Sequence, residues 1–309
     1  MKRRIFSICI LLFFLLMLRF PSQTFTGAST GLLLWFHSVL PTLLPFMILS
    51  NLMLYTQAVE WIARLISPLF CRIFCVSRYG TFALLIGFLC GYPMGAKVTS
   101  DLLKKQYITY EEASYLLSFC NNTSPAFLMN YIILQTLGTP DILLPAVCIS
   151  LLSPILCSFL FRRYYGVHDR VCHSYHSPVS SSSSASRLTD TCMMNAFNAI
   201  TRVGGYMILF SVFTELATAI FSQAPEWFPL LLSSLEISTG IQLLNTSFLS
   251  VNTRCILSLT LASFGGWCCV AQTRSMISGT GLPIFPYIAE KLITTMVTSL
   301  LSCFYFIIL

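Results

Sequence analysis

The chain has 309 residues, 56% hydrophobic and only 9% charged, with a mean hydropathy of +0.77. Soluble globular domains carry roughly a quarter charged residues, so this composition excludes one and predicts an all-α, polytopic membrane protein. The net charge of +7 resides in basic residues between apolar runs, the pattern of cytoplasmic loops facing anionic lipid rather than of a nucleic-acid-binding surface.

Lys2-Arg3-Arg4 followed by apolar residues from Ile5 to Leu18 reads as a signal peptide or a retained signal anchor. Gly27-Ala28-Ser29 is a poor cleavage site, which favours the anchor. A span follows over about 29–55, where Pro41 and Pro45 must kink or break the helix. Over 60–78, Trp61, Leu65, Leu69 and Ile73 recur at helical spacing with Arg64 and Arg72 elsewhere. This reads either as an interfacial amphipathic helix or as an ordinary connecting helix.

The stretch from Thr81 to Lys97 begins apolar and breaks at Gly91-Tyr92-Pro93-Met94-Gly95. Gly91 and Gly95 permit unusual backbone angles and Pro93 lacks an amide donor, so the pattern reads as the tip of a re-entrant helical hairpin. Charged residues from Asp101 to Glu112 close it. The next span, about 113–137, carries Asn121-Asn122-Thr123-Ser124-Pro125 at its middle. Polar residues there must face a cavity or another helix, as solute ligands or as interhelical glue. A further span returns to Arg162-Arg163.

Residues 162–194 read as a disordered cytoplasmic linker, with a serine run over 180–184. His168, Cys172, His173 and His176 in it are better read as solvated than as a metal clip. The thirteen cysteines of the chain have no paired or ligand spacing and read as small core residues.

The second half repeats the order of the first. A span over about 195–221 carries Glu215, and an apolar run breaks at Leu235-Glu236-Ile237-Ser238-Thr239-Gly240. A span over 255–273 is centred on Ser263-Phe264-Gly265-Gly266, and a last span covers 284–309. With the basic loops inside, the two halves run in opposite directions, giving inverted repeats of the kind found in secondary transporters. The expected organisation is an anchor (1–28), a first repeat (29–161), the linker (162–194) and a second repeat (195–309).

The stretches Leu40 to Phe46, Gly91 to Lys97, Phe119 to Pro125 and Leu235 to Gly240 resemble the sporulation integral membrane proteins of the YlbJ (SpoVV) type, within the nucleoside-recognition or Gate-domain superfamily. The resemblance implies a fold similar to concentrative nucleoside transporters. It also implies a place in endospore formation, in the cell membrane or the membrane around the forespore, linked to movement of dipicolinic acid.

The expected substrate-binding residues are Gly91, Tyr92, Pro93, Gly95, Lys97, Asn121, Asn122, Thr123, Ser124, Glu236, Ser238, Thr239 and Gly240. Lys97 reads either as a partner for a solute carboxylate or as an interfacial lysine that snorkels. Glu236 is expected to pair with Lys97 or to carry a coupling proton or sodium ion. No other cofactor and no metal is expected, and self-association is left open. The leading expectation is a transporter of a small polar or anionic solute. A non-transporting sporulation scaffold or signalling component and a nucleoside-type transporter are the alternatives. No His-Glu-X-X-His motif, convincing serine-lysine pair or phosphate-binding loop supports an enzyme.

Overall fold

The computed structural model describes residues 2–56, 58–167, 185–221, 225 and 227–308. Among these every regular element is helical, as hydrocarbon demands of a backbone that must satisfy its own amides. Helix α1 covers Lys2–Arg19. Then α2 (Pro21–Leu34), a π-helical turn (Trp35–Val39) and α3 (Leu40–Met53) form one continuous rod. The expected proline break is absorbed by that π turn. The amide of Leu40 bonds the Trp35 carbonyl, shifting the register just before Pro41.

The first span therefore begins at Pro21 rather than near residue 29, and the reason lies in packing. Helix α10 (Ala185–Ile220) lies along the rod. A Cβ on Gly27 would sit 2.7 Å from the Val212 Cα, and one on Gly31 would sit 2.8 Å from the Ile208 Cα. Gly27 and Gly31 form a small-xxx-small pair that brings two backbones into contact. The expected linker is also shorter than its sequence suggests. Residues 162–164 continue α9 (Leu143–Tyr164) and residues 185–194 open α10; the four candidate ligands from His168 to His176 lie outside the described residues.

Helix α4 (Ala58–Phe74) turns by 90° into α5 (Arg78–Cys90). Trp61, Leu65 and Leu69 on α4 are exposed, presenting an apolar stripe outward. Helix α6 (Met94–Lys104) folds back on α5, so that Tyr79 stacks on Tyr107 at 4.8 Å. Helix α7 (Tyr110–Cys120) ends at an extended break over 121–124. The chain restarts as the single turn α8 (Pro125–Phe127), continues in π geometry over Leu128–Leu137, and enters α9 through a 3-10 turn.

In the second half, α11 (Trp227–Leu232) and α12 (Ile237–Asn245) form a shorter pair, α13 (Val251–Phe264) and α14 (Gly266–Met276) a span broken at Gly265, and α15 (Ile284–Cys303) the last rod. At 1.5 Å per residue, α5, α6, α7, α11 and α12 each reach at most about 20 Å, too short for a ~30 Å hydrocarbon core. Five helical stretches are long and apolar enough to cross: Pro21–Met53, Pro140–Tyr164, Ser186–Ile220, Val251–Met276 and Ile284–Ile307. The chain is a multi-pass membrane protein.

Five of the helix restarts have a local cause. Ser77, Thr109, Ser124, Glu236 and Ser250 each accept a hydrogen bond from the amide three residues on, satisfying one free donor of α5, α7, α8, α12 and α13. Arg254 has a similar role at the other end of α12. Its Nη1 donates to the carbonyl and side-chain oxygens of Asn245 at 2.9 and 3.0 Å, capping the end of α12.

Candidate functional site

Four helix breaks meet in the middle of the fold. In the first half the α5/α6 break packs on the α7/α8 break. A Cβ on Gly95 would lie 2.5 Å from the Cys120 carbonyl oxygen, one on Gly87 would meet the same oxygen, and one on Gly91 would lie 2.5 Å from the Ser124 amide. In the second half the α11/α12 break packs on the α13/α14 break, and the Trp267 and Cys268 amides donate to the Ser234 and Leu235 carbonyls at 2.9 and 2.8 Å. The halves are then joined through the same points. The Tyr92 hydroxyl donates to the Ser263 carbonyl at 2.7 Å, Thr123 Oγ1 to the Ala262 carbonyl at 2.6 Å, and the Tyr131 hydroxyl to the Ser238 carbonyl at 3.1 Å.

Between these breaks lies a cavity of about 70 Å³, walled by Tyr92, Thr123, Ser124, Glu236, Ser238, Cys269 and Gln272 and by apolar side chains of α3 and α10. That is several times the ~10–15 Å³ one water needs. Five of the thirteen expected residues line it: Tyr92, Thr123, Ser124, Glu236 and Ser238. Glu236 caps α12, its carboxylate accepting from the Thr239 amide at 2.8 Å and from Thr239 Oγ1 at 3.1 Å. Gly91 and Gly95 serve the close packing just described. Gly240 does the same against the Ser233 carbonyl, and Pro93 precedes α6.

Asn121 and Asn122 lie one layer behind the cavity. Asn121 Nδ2 donates to Thr273 Oγ1 and to the Tyr287 hydroxyl, both at 2.9 Å, and its Oδ1 accepts from the Ala96 amide at 3.2 Å. Both residues also hold a cation that the sequence reading missed. Lys291 is 1% exposed, and its Nζ donates to the Asn121 carbonyl at 3.0 Å and to Asn122 Oδ1 at 2.9 Å, with the Tyr92 ring 5.1 Å away. No carboxylate lies within ion-pair distance of it among the described residues. Its neighbour Glu290 accepts from the Tyr165 hydroxyl. The signal was present, because two adjacent charges inside an apolar span are costly unless buried in protein.

Lys97 is elsewhere. It stands on the first turns of α6, where its Nζ pairs with Asp101 at 2.5 Å and reaches Asn51 Oδ1 at 3.4 Å. The expected Lys97–Glu236 pair is absent, because each group meets a partner on its own helix, one turn away for Lys97 and at the cap for Glu236. Lys97 and Asp101 line a second cavity of about 460 Å³ at the end of the bundle that also carries Lys104, Lys105 and Arg202. Lys105 Nζ sits 3.3 Å from the centroid of the Tyr55 ring, and burial lowers the pKa of this ammonium below the ordinary lysine value. The two cavities stand in line. Helix α14 gives Gln272 to one and Ser275 and Met276 to the other, α10 gives Val203 and Arg202, and α3 gives Leu43 and Asn51 with the fully buried Met47 between them.

The chain is similar to a sporulation integral membrane protein. The relative is YlbJ of Bacillus subtilis (strain 168), 25% identical over 306 residues that cover 88% of this chain and 75% of the relative. No protein-family model matches the chain, and no solved structure matches it. With 88% of the chain covered, the likeness to YlbJ extends well beyond a short motif.

Proposed function

We propose that this chain is a transporter that carries a small polar or anionic solute through the membrane, with dipicolinic acid during endospore formation as its solute. One observation carries the reading: four helix breaks, two from each half, close around a largely apolar cavity into which a few polar groups, among them Glu236, Thr123 and Ser238, are set, with a buried lysine behind it. Irregular backbone at membrane depth is tolerated where it lines a cavity, and transport sites are built from such broken helices. Each half runs long span, short helical pair, broken span and return. We read the halves as inverted repeats that resemble concentrative nucleoside transporters in plan, and the two short pairs as re-entrant hairpins.

In this reading Tyr92, Thr123, Ser124, Glu236 and Ser238 contact the solute, and Lys291 supplies positive potential through the Asn121–Asn122 break. The central cavity is too small for a pyridine dicarboxylate, so the arrangement is a closed state and loading requires the hairpins to part. A proton or sodium ion on Glu236 would supply coupling. The relative's designation as a sporulation integral membrane protein supports the sporulation setting. Purified protein in lipid vesicles should take up radiolabelled pyridine-2,6-dicarboxylate faster than protein-free vesicles, and uptake should fall to background in Lys291→Met protein of normal abundance. Equal uptake with and without protein refutes transport and leaves the scaffold reading.

A further inference from the structure

The larger cavity has a composition unlike that of the central one. Lys97, Lys104, Lys105 and Arg202 line it against a single carboxylate, Asp101, and Asn51, Asn195 and Asn198 add neutral donors. Each cation stands on a rigid element: three on α6 or the turn that ends it, one on α10. Asp101 satisfies Lys97, and the Tyr55 ring and the Leu54 carbonyl hold Lys105. Lys104 and Arg202 are exposed, and among the described residues no hydrogen bond or ion pair binds either head group. Two free cations beside two partly engaged ones make a strongly positive recess with capacity for more than one negative charge. A space of about 460 Å³ also admits a solute that the 70 Å³ cavity cannot.

We infer that this recess is a second, peripheral binding site for a small anion bearing two or more negative charges, a loading station one to two helical turns from the central cavity. Its role as a loading station rests on the transport reading above; its binding of dianions does not. Asp101 sets its selectivity. A monoanion gains little over the competing carboxylate, whereas a dianion can engage Lys104 and Arg202 while Lys97 stays paired.

The test is equilibrium binding of pyridine-2,6-dicarboxylate to the full chain in nanodiscs of neutral phosphatidylcholine, alongside vesicle uptake. Lys104 and Arg202 are exposed and unpartnered, so the Lys104→Gln/Arg202→Gln double variant should fold normally. It is expected to weaken dianion binding at least tenfold and flatten its salt dependence, while pyridine-2-carboxylate and uridine bind weakly to both proteins. In vesicles the same variant should raise KM and leave the maximal rate unchanged. Dianion binding that depends on both residues in a protein that transports nothing sustains the site and refutes only the transport reading. Transport with unchanged KM and unchanged dianion binding in the double variant overturns the site and leaves transport standing. Binding of anionic phosphatidylglycerol with none of the soluble dianion likewise overturns it.

Discussion

Gly95→Ala offers a sharp test of how the breaks are held together. In a helix this change ordinarily stabilises by about 0.5–1 kcal/mol, because alanine loses less backbone freedom on folding. Here the new Cβ would lie 2.5 Å from the Cys120 oxygen, 2.9 Å from its carbonyl carbon and 3.0 Å from the Asn121 Cα. The first contact is about 1 Å inside the ~3.5 Å optimum for non-bonded heavy atoms. All three atoms are backbone, so no side chain can rotate away, and the cost falls near the upper end of the ~1–3 kcal/mol typical of overpacking. Subtracting the helical gain leaves a net loss of about 2 kcal/mol, or roughly 4 °C in Tm for a chain of this size. Gly205→Ala is the control, because a Cβ there meets nothing within 4 Å and should stabilise by about 0.5 kcal/mol or more. Thermal unfolding of both variants in the same detergent, followed by tryptophan fluorescence, reads the difference. If Gly95→Ala is as stable as Gly205→Ala, the α5/α6 pair does not pack on the α7/α8 break as described.

Three further outcomes are expected. Glu236→Ala removes the cap of α12 and should cost about 1–2 kcal/mol in a denaturant titration, whereas Glu236→Gln keeps an acceptor oxygen and should cost well under half of that; equal losses would exclude capping. Lys291→Met leaves the Asn121 carbonyl and Asn122 Oδ1 without their charged donor, at about 1–3 kcal/mol for each buried acceptor, partly offset by relief of the buried ammonium. Lys291→Arg should restore more stability than uptake, because the guanidinium keeps a donor for each oxygen while its greater bulk in a fully buried site displaces the positive charge; full uptake in Lys291→Met would remove this lysine from the mechanism. In a background without native cysteines, Ser238→Cys should react with a small water-soluble thiol reagent and be protected by solute, while Leu156→Cys on the exposed face of α9 should not react. Equal reactivity at both positions would mean that the central cavity is not the aqueous path.

Much of the architecture is legible in the sequence because it follows from solvation. A chain with 9% charge must form helices in lipid, and the Gly91–Pro93 and Asn121–Pro125 stretches cannot continue one, so the positions of the breaks could be read directly. The capping residues Ser77, Thr109, Ser124 and Ser250 are equally local. Pairing was another matter. Lys97 and Glu236 looked like partners because both are charges beside a break. Their actual partners, Asp101 and Thr239, are on their own helices, where proximity costs no chain entropy.

Composition and local stereochemistry by themselves determine that this protein crosses the membrane repeatedly and where its helices are interrupted. Which interruptions touch one another, and which cation stands behind them, depended on tertiary structure. Lys291 lies 170 residues from the Asn121 carbonyl it bonds, and no helical period or spacing encodes a contact of that range. The close approach of α2 and α10 through Gly27 and Gly31 is of the same kind: a glycine pair permits two backbones to touch, but only the assembled bundle selects the partner.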